Sequence, residues 1–230
     1  MIGIVIPVHN EEKLLRECLV SVAHSQRFAG ERGHPSFVIV VLDRCSDESR
    51  EIAEEAGVQI MEIDLANVGA ARSRGARQAI LEGAQWLAFT DADSRVAPDW
   101  LVAQVELGRD AVVGTVIVYD WDSRPTAIQA AFLEQYKNAD DHRHVHGANL
   151  GVSTPAYLAC GGFPEQHLDE DVALVERLAC NDFDIAWSAA PRVWTSARSD
   201  NRVSGGFGGF IANLEHRTEA GSRAVAPAES

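Results

Sequence analysis

Runs of apolar, often β-branched residues alternate along the first half of the chain with stretches whose apolar positions recur every three or four residues. Residues 2–8 (IGIVIPV), 36–43 (SFVIVVLD), 58–64 (VQIMEID) and 86–90 (WLAFT) are near-continuous apolar runs. Such runs read as strands buried on both faces. Between them, 10–26 places Leu14, Leu15, Cys18, Leu19 and Val22 on one helical face, with Asn10 as the expected N-cap. The pattern predicts further helices over 47–57, closed by Gly57, and over 69–83, stopped by Gly83. A strand–helix alternation repeated this way predicts an α/β domain, a Rossmann-like and mostly parallel central sheet with helices on both faces.

The pattern is less regular beyond residue 95. Helices are expected over 98–108 and over 125–139 behind Pro125, with a strand at 111–120 between them. A polar segment, 140–149, leads into a short strand ending at 153. A short helix (154–160), a turn-rich loop and a helix over 171–181 follow. No repeat or linker divides the chain, so 1–217 reads as one domain and 218–230 as a disordered tail. The glycine-rich segment 204–217 is either a mobile lid or a flexible turn.

Charge narrows the function. The 230 residues carry 34 acidic and 20 basic side chains, a formal net charge of −14. That balance leaves no basic footprint for nucleic acid. The four cysteines (18, 45, 160, 180) include no CxxC pair, which suggests neither a zinc site nor a disulfide framework and points to the reducing cytoplasm. No apolar run approaches the roughly 20 residues that span a bilayer. Peripheral membrane contact through 200–217 stays open.

Polar residues gather where the predicted strands end: His9 and Asn10, Asp43, Asn67, then Asp91 and Asp93. Ligands of open α/β sheets bind beyond the carboxyl ends of the strands. Asp91 and Asp93, two apart, lie about 6–7 Å from each other on one face of extended chain. Two such carboxylates suit a hard cation, Mn2+ or Mg2+, completed by water and phosphate oxygens. The alternative is that Asp93 or Ser94 only caps a turn. His142, His144 and His146 alternate, but three histidines on one strand face do not enclose an ion.

Five segments, IVIPVHNEEKLLRECLVSV, VVLDRCSDES, NVGAARSRGARQA, FTDADSRVAPDWL and GGFPEQHLDEDVALVERL, resemble in order and spacing the family 2 glycosyltransferases of the GT-A fold. The resemblance extends over about residues 1–190, and it implies a GT-A domain with a nucleotide-binding half (1–95) and an acceptor-side half (96–217). It implies that Pro7, Val8, His9, Asn10 and Glu11 lie against the nucleotide base and that Asp43 bonds the base or ribose. Asp43 as a helix N-cap is the alternative, and Arg44 stands where the family often has a second acid. The resemblance further implies a phosphate or ribose contact for Arg72, a ribose or donor-sugar contact for Asp91 with Ala92, and the metal ligand for Asp93. Asp171 would be the general base, with Glu170 or Asp169 as alternatives; helix-dipole charge is the competing role for all three. His146, Asn149, Gly161 and Gly162 would face the acceptor.

The implied activity is inverting, metal-dependent transfer of a sugar from a UDP- or GDP-sugar to an acceptor hydroxyl in polysaccharide or glycoconjugate assembly. A non-catalytic module binding nucleotide sugars or a protein is one alternative. A sugar-phosphate nucleotidyltransferase is another, disfavoured because PVHNEEKLL replaces the glycine-rich loop such enzymes carry after the first strand.

Overall fold

The strands at 2–8, 36–43 and 86–89 are buried as their unbroken apolar runs predict, whereas the strand at 59–63 lies at the sheet edge and is half-buried or exposed throughout. The computed structural model describes residues 1–121, 124–197 and 211. Its first half contains β1 (Ile2–Val8), α1 (Leu15–Gly30), β2 (Ser36–Asp43), α2 (Ser49–Glu55), β3 (Gln59–Ile63), α3 (Val68–Leu81) and β4 (Trp86–Phe89). The second contains β5 (Arg95–Val96), α4 (Trp100–Val105), β6 (Ala111–Asp120), α5 (Thr126–Gln135), a 3-10 turn (Gly147–Asn149), β7 (Leu150–Ser153), α6 (Thr154–Ala159), α7 (Glu170–Cys180) and β8 (Ile185–Ser196).

Among the described residues these strands form one sheet in the order β3-β2-β1-β4-β7-β6-β8-β5. The pairs β1–β2, β1–β4, β2–β3 and β6–β8 are parallel; β4–β7, β6–β7 and β5–β8 are antiparallel. Alternate residues of each strand enter different cores. Ile2, Ile4, Ile6 and Val8 of β1 pack with Leu15, Cys18, Leu19 and Val22 of α1 and with Trp100 of α4. Val5 faces the other way, with Ala71, Ala76 and Ala79 of α3 and Leu174 and Leu178 of α7. Burying a Leu- or Ile-sized side chain contributes about 1.5–3 kcal/mol, so each core is a substantial source of stability.

Two local expectations give way. Asn10 does not cap α1, which begins at Leu15. It adopts a left-handed φ of 53°, and its Oδ1 accepts the Ser46 N–H at 2.7 Å, tying together the loops after β1 and β2. The second difference is β8, which the apolar pattern does not announce. Pro191 interrupts it, and a residue without an N–H cannot complete a ladder. The register against β6 jumps between Gly114↔Ser188 and Val116↔Val193, and the intervening bulge takes up the proline. The segments 204–210, 212–217 and 218–230, with the lid and the tail expected there, lie outside the described residues.

Candidate active site

The carboxyl ends of β1, β2 and β4 open into a cleft of about 700 Å³. Pro7, Val8, His9 and Glu11 form its wall at the end of β1, whereas Asn10, turned toward Ser46, does not line it. The His9 Nδ1 lies 2.6 Å from the Asp43 carbonyl oxygen, and since a carbonyl only accepts, Nδ1 is the donor.

Asp43 reaches the cleft, but loop backbone already engages its carboxylate. Oδ1 accepts from the Leu65 and Ala66 N–H groups, both at 2.8 Å, and Oδ2 from the Asn67 N–H at 2.6 Å. It is no cap for the following helix, which begins at Ser49. These bonds hold the 65–67 loop, after which Asn67 caps α3 by accepting from the Ala70 N–H at 2.9 Å.

Arg72, in the second turn of α3, is 4% exposed and forms the floor between the acids. Its Nη2 donates to Oδ1 of Asp91 at 2.5 Å, and its Nη1 donates to Oε1 of Glu170. Burial opposes its charge, but Asp91, Glu170 and Asp171 outweigh burial and hold its pKa above the ordinary value. Burial raises the Glu170 carboxyl above the usual range, and Arg72 offsets only part of that rise. The resemblance points Arg72 at phosphate or ribose; in the structure its two terminal nitrogens bind carboxylates.

Asp93 lines the cleft, with the Ser94 hydroxyl 3.3 Å from its Oδ1 and the Thr195 hydroxyl 3.1 Å beyond that. Ala92, between the two acids, is buried and also borders the cavity. Across the cleft, Asp169, Glu170 and Asp171 open α7. Asp169 holds a left-handed φ of 55°, uncommon for a residue with a side chain and often a mark of functional sites. Asp171 accepts the Gly147 N–H at Oδ2 (2.6 Å) and the Val172 N–H at Oδ1 (2.8 Å).

The acceptor-side residues divide. His146 lines the cleft, its Nε2 lying 2.9 Å from the Tyr136 hydroxyl, which itself accepts the Val116 N–H at 2.8 Å. Burial presses its imidazole down to about 3, and the neighbouring His144 and His142 add to that. The three histidines stack rather than converge: the rings of His142 and His144 are 5.8 Å apart, those of His144 and His146 6.2 Å. Asn149 does not line the cleft. It is 1% exposed, its Oδ1 accepts from Trp100 Nε1 at 2.9 Å, and its Nδ2 donates to the Thr115 and Pro191 carbonyls at 2.7 and 2.8 Å. Gly161 and Gly162 also fall outside the cleft wall. They turn the chain after α6 at φ 75° and 67°, where Arg177 clamps the Cys160 and Gly162 carbonyls.

Sequence reasoning misses Val116 and Thr195, which close the cleft from β6 and β8, and His167 on the loop before α7. The alternation in VWTS (193–196) was the available signal for Thr195. Among the described residues, no group of three or more His, Cys, Asp or Glu side chains is arranged to hold a metal ion, and no helix is long and apolar enough to cross a membrane.

Residues 3–157 match the family described as Glycosyl transferase family 2. No curated protein matches the chain. Among solved structures it is similar to S. aureus TarS 1-349 in complex with UDP-GlcNAc, with a TM-score of 0.67 and 17% identity over 99% of this chain and 68% of that one. Similarity to GalNAc-T7 with UDP, GalNAc and Mn2+ has a TM-score of 0.68 and 16% identity over 90% and 45% of the two chains. The mannosyltransferase PcManGT of Pyrobaculum calidifontis, in complex with GDP-Man and Mn2+, matches with a TM-score of 0.63 and 15% identity over 100% and 65%. The chain spans only 36% of another TarS structure. At these identities the likeness establishes the fold, GT-A.

Proposed function

Since this chain belongs to glycosyl transferase family 2, we propose that it moves a sugar from a nucleoside diphosphate sugar to an acceptor hydroxyl, with inversion and with a divalent cation. The observation that carries this reading is that Asp93 at the end of β4 and Asp171 at the start of α7 line one cleft beyond the strand ends. Neighbours of the same fold, solved with UDP-GlcNAc, with UDP and Mn2+ and with GDP-Man and Mn2+, support it.

The donor set suits a cation held largely through substrate. Asp91 binds Arg72 through Oδ1, and Asp93, two residues on at the same strand end, is the protein carboxylate we assign to Mn2+ or Mg2+, with phosphate oxygens and water completing the shell. When bound, the cation supplies positive charge for the departing diphosphate. Asp171 is placed to take the acceptor hydroxyl proton as that oxygen forms its bond to the anomeric carbon and the bond to the diphosphate oxygen breaks on the opposite face. Two backbone N–H groups orient its carboxylate, a condition of efficient proton transfer. The β1 end and the 65–67 loop form the nucleotide side, and His146 the acceptor side.

The enzyme reading also accounts for charge. Asp91, Asp93, Glu170 and Asp171 share one cleft with Arg72, an arrangement that suits a cation–diphosphate complex better than a protein partner. Unbridged Cys18, Cys45, Cys160 and Cys180 accord with work in the reducing cytoplasm. The deciding experiment is a hydrolysis panel of UDP- and GDP-sugars with Mn2+ or Mg2+. Turnover of at least one donor is expected. If none is bound or hydrolysed with any divalent ion, the proposal fails.

A further inference from the structure

The geometry points to Arg72 and Glu170 as a positioning pair that holds the two sides of the cleft in register, with Arg72 acting on the reaction through Asp91 and α7 and not by contact with the donor. The inference rests on the transferase reading above and assigns work inside that site. Arg72 joins the β4 end to the α7 start: its two terminal nitrogens bind Asp91 on one and Glu170 on the other. Both salt-bridge partners within the α7 link are 5% exposed, so solvent screens little of that attraction. A guanidinium suits this task because its donors lie in a fixed plane and reach two carboxylates at set angles, which a lysine ammonium does not reproduce.

Glu170 is thereby separated from its neighbour in role. Its Oε1 is occupied by Arg72 and it is buried, while Asp171, one residue on, is half-buried and accepts a backbone N–H at each oxygen. Because Oε1 of Glu170 is taken by the Arg72 guanidinium, a proton arriving there would break that bond, so the positioning assignment leaves the base role to Asp171. Gly147 completes the device. Its N–H binds Asp171, and a Cβ placed on it would overlap the Arg72 guanidinium. One backbone residue therefore touches both the arginine and the base.

The test is donor hydrolysis by the full chain, with kcat and KM separated and melting temperature measured for every variant. Arg72→Lys, which keeps the charge without the fork, is expected to lower kcat about 100-fold at unchanged donor KM, the scale of an ångström-sized misplacement. Gly147→Ala, which leaves both ionic partners in the chain and displaces the guanidinium, is expected to do the same. Glu170→Gln still offers Arg72 an amide oxygen and should cost less than about tenfold, the scale of one weakened hydrogen bond. Asp171→Asn should cost about a thousandfold. A rise in KM at unchanged kcat for Arg72→Lys makes the arginine a donor contact and overturns the inference. So does a folded Glu170→Gln as inactive as Asp171→Asn. Wild-type protein that turns over no nucleotide sugar overturns the transferase reading and this inference together, whereas failure confined to the variants leaves that reading standing.

Discussion

The backbone N–H of Gly147 donates to Oδ2 of Asp171 at 2.6 Å, and this contact joins the histidine-rich segment after α5 to the first turn of α7. With the Val172 N–H on Oδ1, each carboxylate oxygen takes one main-chain donor, so the acid has a set direction. A surface acid whose only task was to complement the helix dipole would not need a donor from a distant segment.

Asp171→Asn keeps size and reverses one requirement, because the amide cannot take a proton. Nucleoside diphosphate binding should survive, since the substitution lies on the far side of the cleft from the β1 wall. Turnover should fall about a thousandfold. Calorimetric titration with UDP or GDP, paired with a donor-hydrolysis assay, separates the two effects.

Asp93→Ala should abolish metal-dependent ligand stabilisation. A ligand present at about 100 times its Kd stabilises the folded state by about 2.7 kcal/mol, or roughly 5–10 °C in a chain of this size. Thermal denaturation with UDP or GDP plus Mn2+ should show that rise in the wild type and not in the variant. An equal rise in both would remove Asp93 from the metal site.

Asn149→Ala should injure stability and spare chemistry. It strips partners from the Trp100 indole N–H and from the Thr115 and Pro191 carbonyls, all at a site 1% exposed. A loss of about 3 kcal/mol, seen as roughly 6–12 °C in melting temperature, is the expected scale. Donor KM measured at low temperature should remain at the wild-type value. An acceptor-specific KM defect in a fully stable variant would restore Asn149 to the acceptor side.

Acid should destabilise the fold through the stacked histidines. Burial lowers His146 to about 3, and His142 and His144 are lowered for the same first reason. Below about pH 6.5 the unfolded chain binds protons that the folded chain refuses, so this contribution is intact above that pH and is lost on descent toward 3. For His146 alone the loss between pH 7 and pH 5 is about 2 kcal/mol. Urea unfolding at the two pH values should show a smaller difference in His146→Gln than in the wild type.

Much of the architecture was legible from the chain because both faces of the central strands are buried, and burial on both faces writes unbroken apolar runs; the edge strand β3, half-buried or exposed, is the exception. The 111–120 strand and the 150–153 strand read correctly for that reason, as did the placing of Asp91, Asp93, Glu170 and Asp171 just past strand ends or at a helix start. What stayed hidden depended on partners distant in sequence. β8 escaped notice because Pro191 is tolerated only where a register shift against β6 absorbs it. Asn149 looks like any polar residue after a turn, and only the meeting of Trp100, Thr115 and Pro191 shows that it is an internal tie.

The sequence by itself determined which chemistry was available: acids at strand ends, an arginine on the third helix and a family-like order of segments. The tertiary structure decided the division of labour among them. Asp43 builds a loop, Arg72 binds two acids across 98 and 19 residues of chain, and the oxygens of Asp171 take backbone donors. The physical reason is that a charged side chain's role follows from its partner and its exposure to water, and both are set by contacts between segments far apart in the chain.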